Sequence, residues 1–162
     1  MGRVAVVTGG TRGIGRAISE TLHAAGYQVA ATYAGNVAAA EQCAAETGVH
    51  TYRFDVSDFN ACTDGVKQIT DELGPIDVLV NNAGITRDAV LHRMTPEQWG
   101  QVIATNLTSC FNMCRLVIES MRERGFGRIV NIGSINGQAG QYGPVNYAAA
   151  KSGIHGFTKA LA

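Results

Sequence analysis

The stretch Val4-Ala5-Val6-Val7-Thr8-Gly9-Gly10-Thr11-Arg12-Gly13-Ile14-Gly15 runs from a valine-rich strand pattern straight into a glycine-rich turn. Helical spacing follows from Ile14 to Ala25 and is closed by Gly26. Glycines at such a turn allow tight bending and let the backbone approach a pyrophosphate, whose charge the helix N-terminus favours. The spacing is G-xxx-G-x-G, through Gly9, Gly13 and Gly15. A plain structural turn gives the same letters, but the position after a strand and before a helix favours dinucleotide binding.

Working outward, hydrophobic runs alternate with helical patterns. Strands are expected at Val29–Thr32, Val49–Phe54, Ile76–Val80 and Arg128–Ile132. Helices are expected at about Asn36–Glu46, Asp58–Leu73 and Leu107–Arg124, and from Val145 onward. Thr95-Pro96-Glu97-Gln98 reads as a helix start, with Thr95 as cap and Gln98 closing a capping box. Apolar strands separated by helix-length crossovers belong to a parallel sheet covered on both faces. The expected fold is α/β: one doubly wound Rossmann domain over residues 1–162, strand order 3-2-1-4-5. Ligands of such sheets bind beyond the carboxyl ends of the strands, where the order reverses. Thr8–Gly15, Asn81–Gly84 and Gly133–Tyr147 follow strands one, four and five, so all three should meet at one crevice.

Composition excludes several partners. Thirteen basic residues balance thirteen acidic ones, with no run of Lys and Arg to attract nucleic acid or an anionic membrane. No apolar stretch approaches the ~20 residues that span a bilayer. The N-terminus lacks the regions of a signal peptide, and Val6 breaks the myristoylation pattern. A cytoplasmic location is expected. Cys43, Cys62, Cys110 and Cys114 form no CxxC pair, so buried free thiols are expected and no metal site.

Two constellations carry the chemistry. At the end of strand two, Thr32-Tyr33-Ala34-Gly35-Asn36 offers no acid to bind a ribose 2′-hydroxyl, whereas Arg12 could pair with a 2′-phosphate. NADP is expected over NAD. Tyr147 and Lys151 lie four apart, hence on one helix face. A phenol is a poor proton shuttle at neutral pH, and a nearby ammonium favours its ionised form. Ser134, after strand five, could hydrogen-bond a carbonyl oxygen that Tyr147 protonates.

Together, Thr8–Gly15, Asn81-Asn82-Ala83-Gly84, Asn106, Ser134 and Tyr147…Lys151 resemble the short-chain dehydrogenase/reductase family along the whole chain. The resemblance implies an NADP-dependent oxidoreductase with Tyr147 as general acid and Ser134 polarising the substrate carbonyl. Lys151 would hold the nicotinamide ribose and favour the ionised phenol, and Asn106 would hold a water of the proton relay. Residue chemistry alone reads Asn106 only as a helix cap. Gly9, Thr11, Arg12, Gly13, Ile14, Gly15, Tyr33, Asp55, Val56, Asn82, Ala83, Gly84, Tyr147 and Lys151 would bind the cofactor.

Asn82–Asp88 (NAGITRD) and Ser134–Tyr147 (SINGQAGQYGPVNY) further resemble the acetoacetyl-CoA reductases of polyhydroxybutyrate synthesis. That likeness implies reduction of a short 3-oxoacyl-CoA to its (R)-3-hydroxy form, with Asp88, Gln141 and Tyr142 near the acyl group. Pro144 departs from the glutamine expected there. Reductases of 3-oxoacyl-acyl-carrier-protein share the triad and stay open as an alternative, as does a catalytically idle NADP-binding or interaction module. Leu107, Cys110, Phe111, Cys114, Val117, Ile118 and Met121 form an apolar stripe, read mainly as core. By resemblance the helices over 107–124 and 145–162 would pair across a dimer interface within a homo-oligomer, a tetramer in the family. Trp99 is expected as a packed anchor and His155 as a structural residue. Family members are longer, so the chain is expected to lack two strands and a closing loop, to turn over poorly and to expose strand five as an edge.

Overall fold

The computed structural model describes residues 2–162. Five parallel strands form one sheet: β1 (Val4–Val7), β2 (Gln28–Tyr33), β3 (His50–Arg53), β4 (Ile76–Asn81) and β5 (Arg128–Asn131). Their order is β3-β2-β1-β4-β5, as the alternation of apolar runs and helical patterns predicts. β1 is central, in register with β2 through Val4–Gln28 and with β4 through Val7–Val80. All four residues of β1 are buried. Each of its three valines contributes roughly 1.5–3 kcal/mol on burial, so the sheet centre is a main anchor of the fold.

Helices cover both faces. Val6, Leu79 and Ile69 belong to the core beneath α3 (Phe59–Leu73) and α5 (Ser109–Glu123). Val7, Val29 and Val80 belong to the opposite core, beneath α1 (Gly13–Ala24) and α2 (Val37–Thr47). Asn36 and Asp58, expected as the first residues of two helices, instead cap them: Asn36 accepts from Ala39 N, and Asp58 from Asn60 N and Ala61 N. Thr95 and Gln98 form the expected capping box at α4 (Pro96–Ile103). Four cysteines are buried free thiols.

Three local expectations need correction. The helix expected at Leu107 is continuous with α4, joined through a π-helical turn at Ala104–Thr108. Asn106 therefore caps nothing; it lies in that turn, 1% exposed. Trp99 is 43% exposed rather than packed, because α4 turns Gln98 and Val102 inward and leaves Trp99 beside that stripe. The segment before the last helix, α7 (Val145–Leu161), contains a short unexpected helix, α6 (Asn136–Ala139). In the apolar stripe, Cys110, Cys114, Val117 and Met121 are buried, but Phe111 is 52% exposed and stacks on Phe59. No helix among the described residues is long and apolar enough to cross a membrane.

Candidate active site

The turn after β1 owes its shape to close approach. Gly9 has φ +62°, the left-handed region that suits glycine. A Cβ on Gly15 would lie 2.1 Å from the Gly9 carbonyl oxygen and 2.5 Å from Asn82 Nδ2, so no other residue fits. Asn82 Nδ2 donates to the Thr8 carbonyl at 2.9 Å, while Thr8 Oγ1 accepts from Asn82 N and Ala83 N, each at 3.0 Å. These bonds weld the glycine turn to the end of β4. Thr8, 2% exposed, organises the turn, a role that its position as the first residue of the motif does not announce.

Beside this weld lies a cleft of about 440 Å³. Gly9, Thr11, Arg12, Gly13, Ile14 and Gly15 line it, with Tyr33, Asp55, Val56, Asn82, Ala83 and Gly84. Arg12 stands at the N-cap of α1 in extended backbone, and no side chain caps the helix. The first-turn N–H groups, which lack partners within the helix, are therefore available to an anion. Arg12 joins no ion pair among the described residues. The residues present fit a dinucleotide phosphate.

A second cavity of about 600 Å³ adjoins the first and shares Arg12, Ile14, Asn82, Gly84 and Ile85 with it. Its far wall brings Ser134, Tyr147 and Lys151 together from the β5–α6 connection and α7. Lys151 is 5% exposed, and its Nζ donates to the Ile132 carbonyl at 2.6 Å. It has no carboxylate partner among the described residues. Burial pushes this ammonium below the usual lysine range. Its Nζ lies 5.7 Å from the Tyr147 ring centre. Ser134 Oγ accepts from Asn136 N at 3.2 Å, which leaves the hydroxyl proton free to point into the cavity.

Asn106 reaches this site differently. Its Oδ1 accepts from Ile85 N at 2.8 Å and its Nδ2 donates to the Ile85 carbonyl at 2.9 Å, so the side chain is spent holding the cavity lip. Asp88, Gln141 and Tyr142 line neither cavity. They sit on exposed segments: Tyr142 is 91% exposed, and Gln141 Oε1 accepts from Asn136 Nδ2. Ile85, Thr86 and Arg87 do line the second cavity, although within Asn82–Asp88 only Asn82, Ala83, Gly84 and Asp88 are expected at the site. His155 packs near Gly133, behind that wall.

The short chain dehydrogenase profile matches residues 3–162. The chain belongs to this family. This short-chain dehydrogenase is an oxidoreductase using a nicotinamide cofactor. It is 62% identical to the acetoacetyl-CoA reductase of Rhizobium meliloti over 162 residues, all of this chain and 67% of the relative. The acetoacetyl-CoA reductase of Shinella zoogloeoides is 64% identical over the same shares. A 3-oxoacyl-acyl-carrier-protein reductase of Vibrio harveyi is 46% identical over 163 residues, 99% of this chain and 66% of that protein. The short-chain dehydrogenase thus spans about two thirds of the length of these relatives.

Proposed function

We propose that residues 1–162 act as one NADP-binding domain that reduces acetoacetyl-CoA, or a similar short 3-oxoacyl-CoA, to the (R)-3-hydroxyacyl-CoA. The observation that carries this reading is the shared wall. A dinucleotide lying along the glycine turn would reach past Asn82 and Gly84 into the cavity that holds Ser134, Tyr147 and Lys151. The identity to acetoacetyl-CoA reductases supports the substrate. A cytoplasmic role in polyhydroxybutyrate synthesis is part of the same proposal.

A nicotinamide, when bound, would supply a hydride to the carbonyl carbon; the chain's own residues handle the oxygen. Ser134 donates a hydrogen bond to that oxygen, and Tyr147 passes it a proton. The buried Lys151 charge stabilises the phenolate left on Tyr147. Gly9, Thr11, Gly13 and Gly15 would cradle the pyrophosphate, with Asp55 and Val56 by the adenine. The Asn106 carbonyl would hold a relay water, because its side chain is already engaged. Asp88, Gln141 and Tyr142 would meet the substrate only at the rim. A homo-oligomer joined through α5 and α7 is proposed from the exposed Phe111 beside Phe59.

Comparing NADPH oxidation with acetoacetyl-CoA and with the acyl-carrier-protein thioester tests the substrate. Higher kcat/KM for the CoA thioester is expected. Preference for the carrier protein would move the reaction to fatty-acid synthesis, and no oxidation with either would leave an idle nucleotide-binding module.

Cofactor choice has its own test. Tyr33–Asn36 carries no acid, and Arg53, bonded through Nε to the Ala34 carbonyl, adds a cation beside that segment. NADPH should be preferred over NADH, and Arg12→Ala should shrink the kcat/KM ratio about tenfold, the worth of one charge-assisted phosphate contact. Equal kcat/KM for both cofactors in the parent chain contradicts the assignment.

A further inference from the structure

Asn146, the residue before Tyr147, is 0% exposed, and its side chain makes three hydrogen bonds to three segments. Nδ2 donates to the Arg87 carbonyl at 3.1 Å and to the Gln98 carbonyl at 3.2 Å. Oδ1 accepts from Tyr147 N at 2.8 Å. Both amide protons are therefore spent on backbone carbonyls, and the oxygen holds the first turn of α7. Arg87 lies in the lip of the second cavity, Gln98 in α4 and Tyr147 in α7. The same lip is gripped two residues earlier, where Asn106 bonds both backbone groups of Ile85.

We infer that Asn146 is a positioning residue for proton delivery, a strut that fixes the Tyr147 end of α7 against the cavity lip at Arg87. The inference rests on Tyr147 being the general acid. Only a primary amide suits the position: two donors must meet two carbonyl oxygens while an acceptor meets an N–H. A hydroxyl has one proton, and a carboxylate would set an anion against both carbonyls. The lip would then be free to move from the phenol, and substrate placement would uncouple from proton transfer. Displacements of about 1 Å in such geometry can cost on the order of 10²-fold in rate. Arg87, Gln98, Asn146 and Tyr147 do not line the glycine-turn cleft, so nucleotide binding should change far less than kcat.

The test is Asn146→Asp, which keeps size and the acceptor to Tyr147 N while removing both donors. Expected are a kcat at least tenfold below the parent, a larger solvent deuterium isotope effect on kcat, and an NADPH Kd within twofold. The Ile85 amide should exchange its hydrogen at least tenfold faster. Parent-like kcat, parent-like Ile85 exchange or an equal loss of NADPH binding would overturn the inference. Should Asn146→Asp fail to fold, Asn146→Ala carries the same comparison with less repulsion. Ile85 exchange decides the strut even in a chain without reductase activity, whereas Tyr147→Phe decides the general acid separately.

Discussion

Tyr147→Phe is expected to lower kcat for acetoacetyl-CoA reduction by roughly 10³-fold, within the range that positioned acid–base groups supply. The substitution removes one oxygen. The ring stays, half-buried at the cavity wall, and so do the bonds of its backbone to Asn146. Folding should match the parent and NADPH affinity should fall far less than kcat, which separates lost chemistry from lost structure. Ser134 remains to polarise the carbonyl, so KM should change little. Steady-state kinetics at saturating NADPH, with nucleotide fluorescence for Kd, make the measurement. Activity within tenfold of the parent would remove Tyr147 from its role.

Lys151→Met is expected to cost about 10²-fold or more in kcat, because the charge facing the Tyr147 ring disappears. Unlike Tyr147→Phe, it should also make the fold more stable. Among the described residues the buried ammonium has a single carbonyl partner and no carboxylate, so it costs free energy in the folded state. Its pKa is lower folded than unfolded, so the unfolded chain binds the proton more tightly. The parent therefore gains stability as pH rises from the folded pKa toward the unfolded one. Below the folded value the penalty is complete. The advantage of Lys151→Met should thus be full below the folded pKa and shrink as pH rises from there toward the unfolded one. Thermal melts across that range check it; a lower melting temperature at neutral pH would show that the Ile132 bond outweighs the burial cost.

Much of this arrangement is legible in the residues. The β-branched runs and the glycine turn identify the sheet because burial on both faces demands apolar strands, and the crevice then follows from the strand order. Tyr147 and Lys151 share a helix face by spacing alone. The π-helical turn at Asn106 is not legible, since five residues are too few to set a period of their own. α6 is too short for a periodicity to show. The strut at Asn146 depends on carbonyls from Arg87 and Gln98, and a backbone acceptor is present at every position, so no letter marks it. Trp99, expected as a packed anchor, lies beside the buried Val102 on the helix, yet one step of rotation puts it in solvent.

The central place of β1 also bears on how the chain is made. β1 meets β2 within a short helix crossover, but its other neighbour arrives much later: Thr8 bonds the carbonyl of Val80, 72 residues on. On the ribosome β1, β2 and β3 can assemble while β4 is still unmade, with one flank of β1 bare. Such distant pairing slows folding and prolongs exposure of the valine-rich flank. Synthesis paused before Ile76 would yield a sticky half-sheet, whereas release of Ile76–Asn81 would quench it.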